Sequence, residues 1–167
     1  ILKEDKKVVY YITGDDVNVL KNNPQLEAFR AKNIEVLLLT DPVDEFWTQV
    51  LPNYKGAAIK HISQADDILK WDRNEPKAEA GSLQKLMDFV GELLKSEVGK
   101  VVATEKLTKS PVSLTVENGQ MSLHLERLMR NNQQHTAFAS MRILELNPYH
   151  PLIIKLADMI MDERNKT

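Results

Sequence analysis

The alternation of strand-like and helix-like segments over the first 63 residues is the feature that most constrains the fold. Three segments are rich in β-branched and aliphatic residues: 6–13 ("KKVVYYIT"), 34–40 ("IEVLLLT") and 56–63 ("GAAIKHIS"). The segments between them carry helix signals, with Asp15 and Asp16 as caps, Pro24 at a helix start, and Leu26 and Phe29 inward. This order predicts a small three-layer αβα unit with a parallel sheet. Because the second strand is almost continuously apolar, we expect it to be covered on both faces.

The remainder of the chain predicts a second unit of mixed helices and strands. After a polar surface connection over 63–80, "GSLQKLMDFVGELLKSEVGK" has the apolar spacing of an amphipathic helix, with Ser82 as its cap and Gly99 at its end. The segments "VVATEKL", "VSLTVEN" and "MRILELN" predict strands, and a last helix begins at Pro151. The predicted class is therefore α/β, or α+β overall, with a second domain after the first α/β unit.

Composition and motifs exclude several kinds of site. Cysteine is absent, which excludes disulfides, zinc–thiolate sites and cysteine nucleophiles. The formal net charge of −2 predicts no general attraction to nucleic acid or to anionic membranes, and no apolar run could span a bilayer. The glycines form no phosphate-binding pattern, and the histidines have no metal-binding spacing: His61, His124, His135 and His150. We therefore predict no catalytic residue, no metal site and no cofactor site in this chain.

Two groups of carboxylates leave one enzymatic alternative open. "TGDD" at 13–16 and "TDPVDE" at 40–45 both follow strands, where α/β proteins keep their active sites. If they met in space, these side chains could bind Mg²⁺: Asp15, Asp16, Asp41, Asp44 and Glu45. Aspartate is also a preferred helix cap, and we favour that interpretation. A magnesium enzyme would require Asp15, Asp41 and Asp44 to converge.

The stretch "GQMSLHLERLMRNNQQ", residues 119–134, predicts a helix with apolar residues on two sides. One face carries Met121, Leu125, Leu128 and Met129, while Leu123 lies almost opposite. One interpretation is a core helix. The other is an exposed binding surface, because flexible methionine side chains suit variable apolar partners. The residues alone leave both open.

Several longer segments resemble the heat-shock protein 90 chaperones, in their bacterial form. The segments "YYITG", "EVLLLTDPVDE" and "LELNPYHPLI" are specific for that family, and "SPVSLTVENGQMSLHLERLMR" extends the likeness in the same order. The resemblance implies that 1–79 is the last α/β part of the middle domain and that 80–167 begins a C-terminal domain of the dimerisation type. It also implies a cytoplasmic, bacterial parent chaperone that hydrolyses ATP. The ATP and Mg²⁺ would bind in an N-terminal domain upstream, so this fragment would not itself be an enzyme.

The same resemblance assigns a role to the helix in 121–132. In the family, the matching helix projects into the cleft between protomers and contacts client proteins. Carried over, the client-binding residues are Met121, Leu125, Leu128 and Met129, with Leu123 towards its own domain. The partners would be unfolded or partly folded clients. The parent would be a homodimer, whose dimerisation helices we expect to be absent here. The alternative is a structural assembly domain without client contact, in which Met121 and Leu125 are buried between protomers.

Overall fold

The structure is a computed structural model that describes residues 8–65, 75–116 and 141–164, together with His124 and Glu126, with side chains up to residue 160. Within these ranges the chain forms two sheets with helices around them, which confirms the predicted α/β class. The predicted boundary between residues 79 and 80 stays a prediction. The described part of the chain contains no helix long and apolar enough to cross a membrane.

The first sheet has the strand order β2-β1-β4-β3. Strand β1 (Val8–Thr13) lies parallel to both β2 (Val36–Leu39) and β4 (Ala57–His61), as the sequence predicts. A further strand, β3 (Asn53–Tyr54), pairs antiparallel to β4 and was not predicted. Lys55 and Gly56 both have positive φ, of 48° and 82°, as a tight two-residue hairpin turn requires.

Short helices surround this sheet and contribute to its core. They are α1 (Val17–Lys21), a 3-10 turn (Pro24–Leu26), α2 (Glu27–Ala31), α3 (Asp44–Val50) and a second 3-10 turn (Ile62–Gln64). Leu26 and Phe29 are buried as predicted, and the Phe29 ring packs edge-on against Tyr10 with centroids 5.2 Å apart. The expectation that the second strand is covered on both faces is wrong. Strand β2 lies at the sheet edge, and Leu37 is 45% exposed.

The second sheet has the order β5-β7-β6. Strand β7 (Arg142–Leu146) is central, parallel to β5 (Lys100–Ala103) and antiparallel to β6 (Val112–Val116). Helices α4 (Ala80–Leu93) and α5 (Pro151–Arg164) pack together beside it. Their shared core consists mainly of Ala78, Leu83, Leu86, Leu146, Ile153 and Ala157.

The predicted ends of helix α4 are wrong. Its N-cap is Glu79, whose carboxylate accepts the Ser82 N–H at 2.8 Å, so Ser82 lies inside the helix. The longer glutamate side chain reaches back over the first turn and takes the role that we assigned to the serine hydroxyl. The helix stops at Leu93, and Gly99 instead donates its N–H to the carbonyl of Arg142 beside the sheet.

Candidate functional site

The predicted client-binding residues lie outside the described part of the chain: Met121, Leu125, Leu128 and Met129, and with them Leu123. Two residues of the same stretch are described, His124 and Glu126, and both have helical backbone. Both are buried, with 8% and 4% of their surface exposed. These two polar side chains are therefore packed into the rest of the protein.

These two side chains contact different parts of the fold. His124 Nδ1 lies 3.5 Å from Asp15 Oδ1 in the loop after β1. Glu126 Oε1 accepts a hydrogen bond from Arg142 Nη2 at 3.3 Å, at the start of β7. These two residues thus contact the first unit of the chain and the second sheet, respectively.

A cavity of about 260 Å³ lies beside the His124–Asp15 contact. It is enclosed by the end of β1 with its following loop, by α1, by strand β6 and by His61. Burial lowers the pKa of His61 to about 4, so this imidazole is neutral at neutral pH. His61 Nδ1 accepts the Ser63 N–H at 3.2 Å, as a cap of the second 3-10 turn.

The carboxylates that could have formed a magnesium site make other contacts within the fold. Asp16 caps α1 by accepting the N–H groups of Asn18 and Val19, as predicted. Asp41 Oδ1 accepts the N–H of Val43 at 3.1 Å, and Asp44 Oδ2 accepts the N–H of Asp41 at 3.0 Å. Glu45 is buried and accepts the Thr13 hydroxyl at 2.5 Å. No group of three potential metal ligands occurs among the residues that the structure describes. These contacts do not support a magnesium enzyme.

A cluster of hydrogen bonds between the two predicted domains centres on Glu27, the first residue of α2. Its carboxylate accepts the backbone N–H groups of Thr108 and Lys109 at 2.6 Å and that of Ser110 at 3.1 Å. The Ser110 hydroxyl donates a further hydrogen bond at 2.5 Å. We call the three N–H groups of residues 108–110 the amide nest. Burial alone would raise the pKa of Glu27, but the hydrogen bonds from Lys109, Ser110 and Thr108 outweigh it and hold the pKa below its ordinary value.

The segment that carries the amide nest is also fixed to the second sheet. Asn147 is 1% exposed, and its Nδ2 donates to the carbonyl of Ser110 at 3.1 Å. The Asn147 N–H donates to the carbonyl of Pro111, and Leu107 is fully buried. The sequence pattern did not predict this cluster of hydrogen bonds. The turn residues of "TKSP" are visible in the sequence, but their partner is 81 to 83 residues away.

Comparison with known proteins identifies the family. The family model described as "Hsp90 protein" matches residues 1–167. The chain belongs to the Hsp90 family. Proteins named "Chaperone protein HtpG" are similar to this Hsp90-family chain: that of Rhodospirillum rubrum is 38% identical over 168 residues, 94% of this chain and 27% of that protein. That of Orientia tsutsugamushi is 37% identical over 179 residues, 98% of this chain and 28% of that protein.

The family match confirms the resemblance that the sequence motifs indicated. The Hsp90-family chain spans about a quarter of the length of the curated relatives it matches, such as the 26% covered in the protein from Ehrlichia ruminantium, which is 36% identical over 94% of this chain. The assignment of 1–79 to a middle domain and of 80–167 to a C-terminal domain stays a prediction.

Proposed function

We propose that this chain is part of an ATP-dependent chaperone and that it supplies client contacts and the hinge between the middle and C-terminal domains. The match to the Hsp90 family over 1–167 and the chaperone names of its relatives support this proposal. ATP and Mg²⁺ would bind in a domain of the parent outside this chain. The parent would act as a homodimer in the bacterial cytoplasm on unfolded or partly folded proteins, without nucleic acid or membrane.

We infer that the client surface lies on one of the two arcs between His124 and Glu126, both of which are buried. At about 100° per residue, these two positions are about 160° apart around a regular helix. The narrower arc between them contains position 123. The wider arc contains positions 121, 125, 128 and 129. A helix attached through its narrower arc would turn the Met121, Leu125, Leu128 and Met129 stripe outward.

The size of this stripe predicts weak, reversible binding. Four apolar side chains offer roughly 200–400 Å² of contact, and burial of apolar area contributes about 25 cal/mol per Å² before the costs of association. Methionine and leucine side chains can adapt to clients of different shape. Selectivity would come from the apolar surface that a client exposes, and weak contacts would let each client leave.

Aggregation suppression by the 167-residue chain tests the client surface. A destabilised client is heated alone, with the chain, and with the double variant Leu125→Ser/Met129→Ser. The matched control is Leu152→Ser/Met159→Ser, which makes the same chemical change on helix α5, where each side chain is 49% exposed. Circular dichroism must show that both variants are folded.

We expect the chain and the α5 variant to protect the client, and the Leu125/Met129 variant to lose most of the protection. Equal protection by both variants would show that the stripe does not bind clients. The helix would then have a structural role in assembly.

A further inference from the structure

The amide nest and Glu27 are anchored independently of each other. The nest is fixed to the second sheet, because Asn147 binds the carbonyls of Ser110 and Pro111, and because Thr104 donates its N–H to Leu146. Glu27 is fixed to the first unit, because Leu26, Ala28 and Phe29 around it are buried in the core. Neither anchor uses the contact between Glu27 and the nest, so each side should keep its shape when that contact is broken.

The chemistry of the nest suits an oxyanion. Three consecutive N–H groups and the hydroxyls of Thr108 and Ser110 converge on one carboxylate. Such a cradle of main-chain donors binds anions without a dedicated cationic side chain. Glu27 is only half-buried, so water can replace both the carboxylate and the donors when they separate. That replacement makes the contact reversible, in contrast to a fully buried ion pair.

We propose that the amide nest of residues 108–110 is a carboxylate-binding site, that Glu27 is its internal ligand, and that their reversible contact sets how the two units meet. Glu27 is then a positioning residue for the hinge. A further hydrogen bond between the units, from Gln25 Nε2 to the Leu114 carbonyl at 2.9 Å, is exposed and uncharged. It is weaker than the hydrogen bonds to the Glu27 carboxylate, since hydrogen bonds to charged groups contribute more. When Glu27 leaves, the nest is open to another small carboxylate.

Chemical rescue of a Glu27 variant tests this inference on the full chain. Amide hydrogen exchange at residues 108–110 is measured by NMR in the wild type, in Glu27→Ala and in the isosteric Glu27→Gln. Each is measured without addition, with sodium acetate, and with sodium chloride at the same ionic strength and pH. Glu92→Ala is the control variant, because it removes an exposed glutamate that pairs with the exposed Lys95 three residues further along the chain.

We expect exchange at 108–110 to rise at least about tenfold in Glu27→Ala, which corresponds to the loss of charged hydrogen bonds. Acetate should reverse most of this rise and chloride should not, while Glu92→Ala should match the wild type throughout. Glu27→Gln, which keeps the shape but not the charge, should lie in between. Unchanged exchange in both Glu27 variants, or equal rescue by chloride and acetate, would overturn the proposal.

This inference rests on the hinge role in the proposed function, but its test does not use clients. A failure of the Leu125/Met129 variant to lose client protection would leave the exchange result unaffected. Conversely, an absence of acetate rescue would leave the client surface standing. The two measurements therefore separate the two proposals.

Discussion

Replacement of Asn147 by alanine should destabilise the second unit more than any exposed asparagine would. The side chain is 1% exposed, and it joins two backbone segments. Its Nδ2 donates to the carbonyl of Ser110, and its Oδ1 accepts the N–H of Tyr149, each at 3.1 Å. Alanine removes both of these side-chain hydrogen bonds, whereas the main-chain hydrogen bond from the N–H of residue 147 to the Pro111 carbonyl persists.

The expected loss follows from the two side-chain hydrogen bonds that alanine removes. A buried polar group that loses its hydrogen bond costs about 1–3 kcal/mol. Two such groups give about 3 kcal/mol, with partial access of water to Tyr149 reducing the upper limit. For a chain of this size, that loss corresponds to a fall in Tm of about 6–12 °C. Asn147→Asp should be at least as harmful, because its carboxylate would face the carbonyl oxygen of Ser110.

Urea denaturation followed by circular dichroism measures this loss directly. The control is Asn53→Ala in β3, where the side chain is exposed and the change should stay within about 0.5 kcal/mol. A loss below about 1 kcal/mol for Asn147→Ala, with the control unchanged, would refute the reasoning. It would mean that the 104–111 segment does not depend on the asparagine for its position.

Two further predictions concern pH and backbone conformation. Burial lowers the pKa of His61 from 6.5 to about 4, so the unfolded chain binds the proton first. The stability that neutral His61 contributes should be fully present above pH 6.5. The free energy of unfolding should then fall by about 2–3 kcal/mol as the pH drops towards 4. His61→Asn keeps the cap without the titration, and the two denaturation profiles should therefore diverge with pH; parallel profiles would contradict the assignment. Gly56→Ala should lower the free energy of unfolding by about 1 kcal/mol in urea denaturation. An added Cβ at this position meets no atom, so the loss would come from the φ of 82°, which is unfavourable for a residue with a side chain. Gly91 lies within α4, where an added Cβ makes only an ordinary contact with Val101, so Gly91→Ala should stabilise the chain by about 0.5–1 kcal/mol. If both alanine variants changed the free energy of unfolding in the same direction, backbone conformation would not be the cause of the two effects.

Local chemistry made much of the fold predictable. Asp16 was expected to cap a helix and does so, because its short carboxylate can reach only the next few N–H groups. Leu26 and Phe29 were expected to point inward, since their spacing places both on one helical face. The predictions were wrong where contacts with other residues determine the local structure. Glu79 displaced Ser82 as the cap of α4, and β2 became an edge strand although its apolar run resembles a central one.

The sequence predicted which residues form the candidate site, but it did not predict which parts of the fold their neighbours contact. The stripe from Met121 to Met129 came from helical spacing and from the family resemblance, and it lies outside the described residues. The buried attachment through His124 and Glu126 had no sequence signal, because a histidine or a glutamate is ordinarily exposed. Their partners, Asp15 and Arg142, are distant in the sequence and near only in the fold.

The amino-acid sequence by itself determined the order of the longer strands and helices, the α/β class and the family. Each of these depends on local spacing or on motifs that are contiguous in the chain. The tertiary structure alone decided which polar groups meet. Glu27 begins a helix and Ser110 ends a turn, and nothing in either segment reveals the other. Their contact exists because two separately packed cores bring a carboxylate to a set of backbone donors. Directional hydrogen bonds of this kind depend on positions within a few tenths of an ångström, and only packing sets those positions.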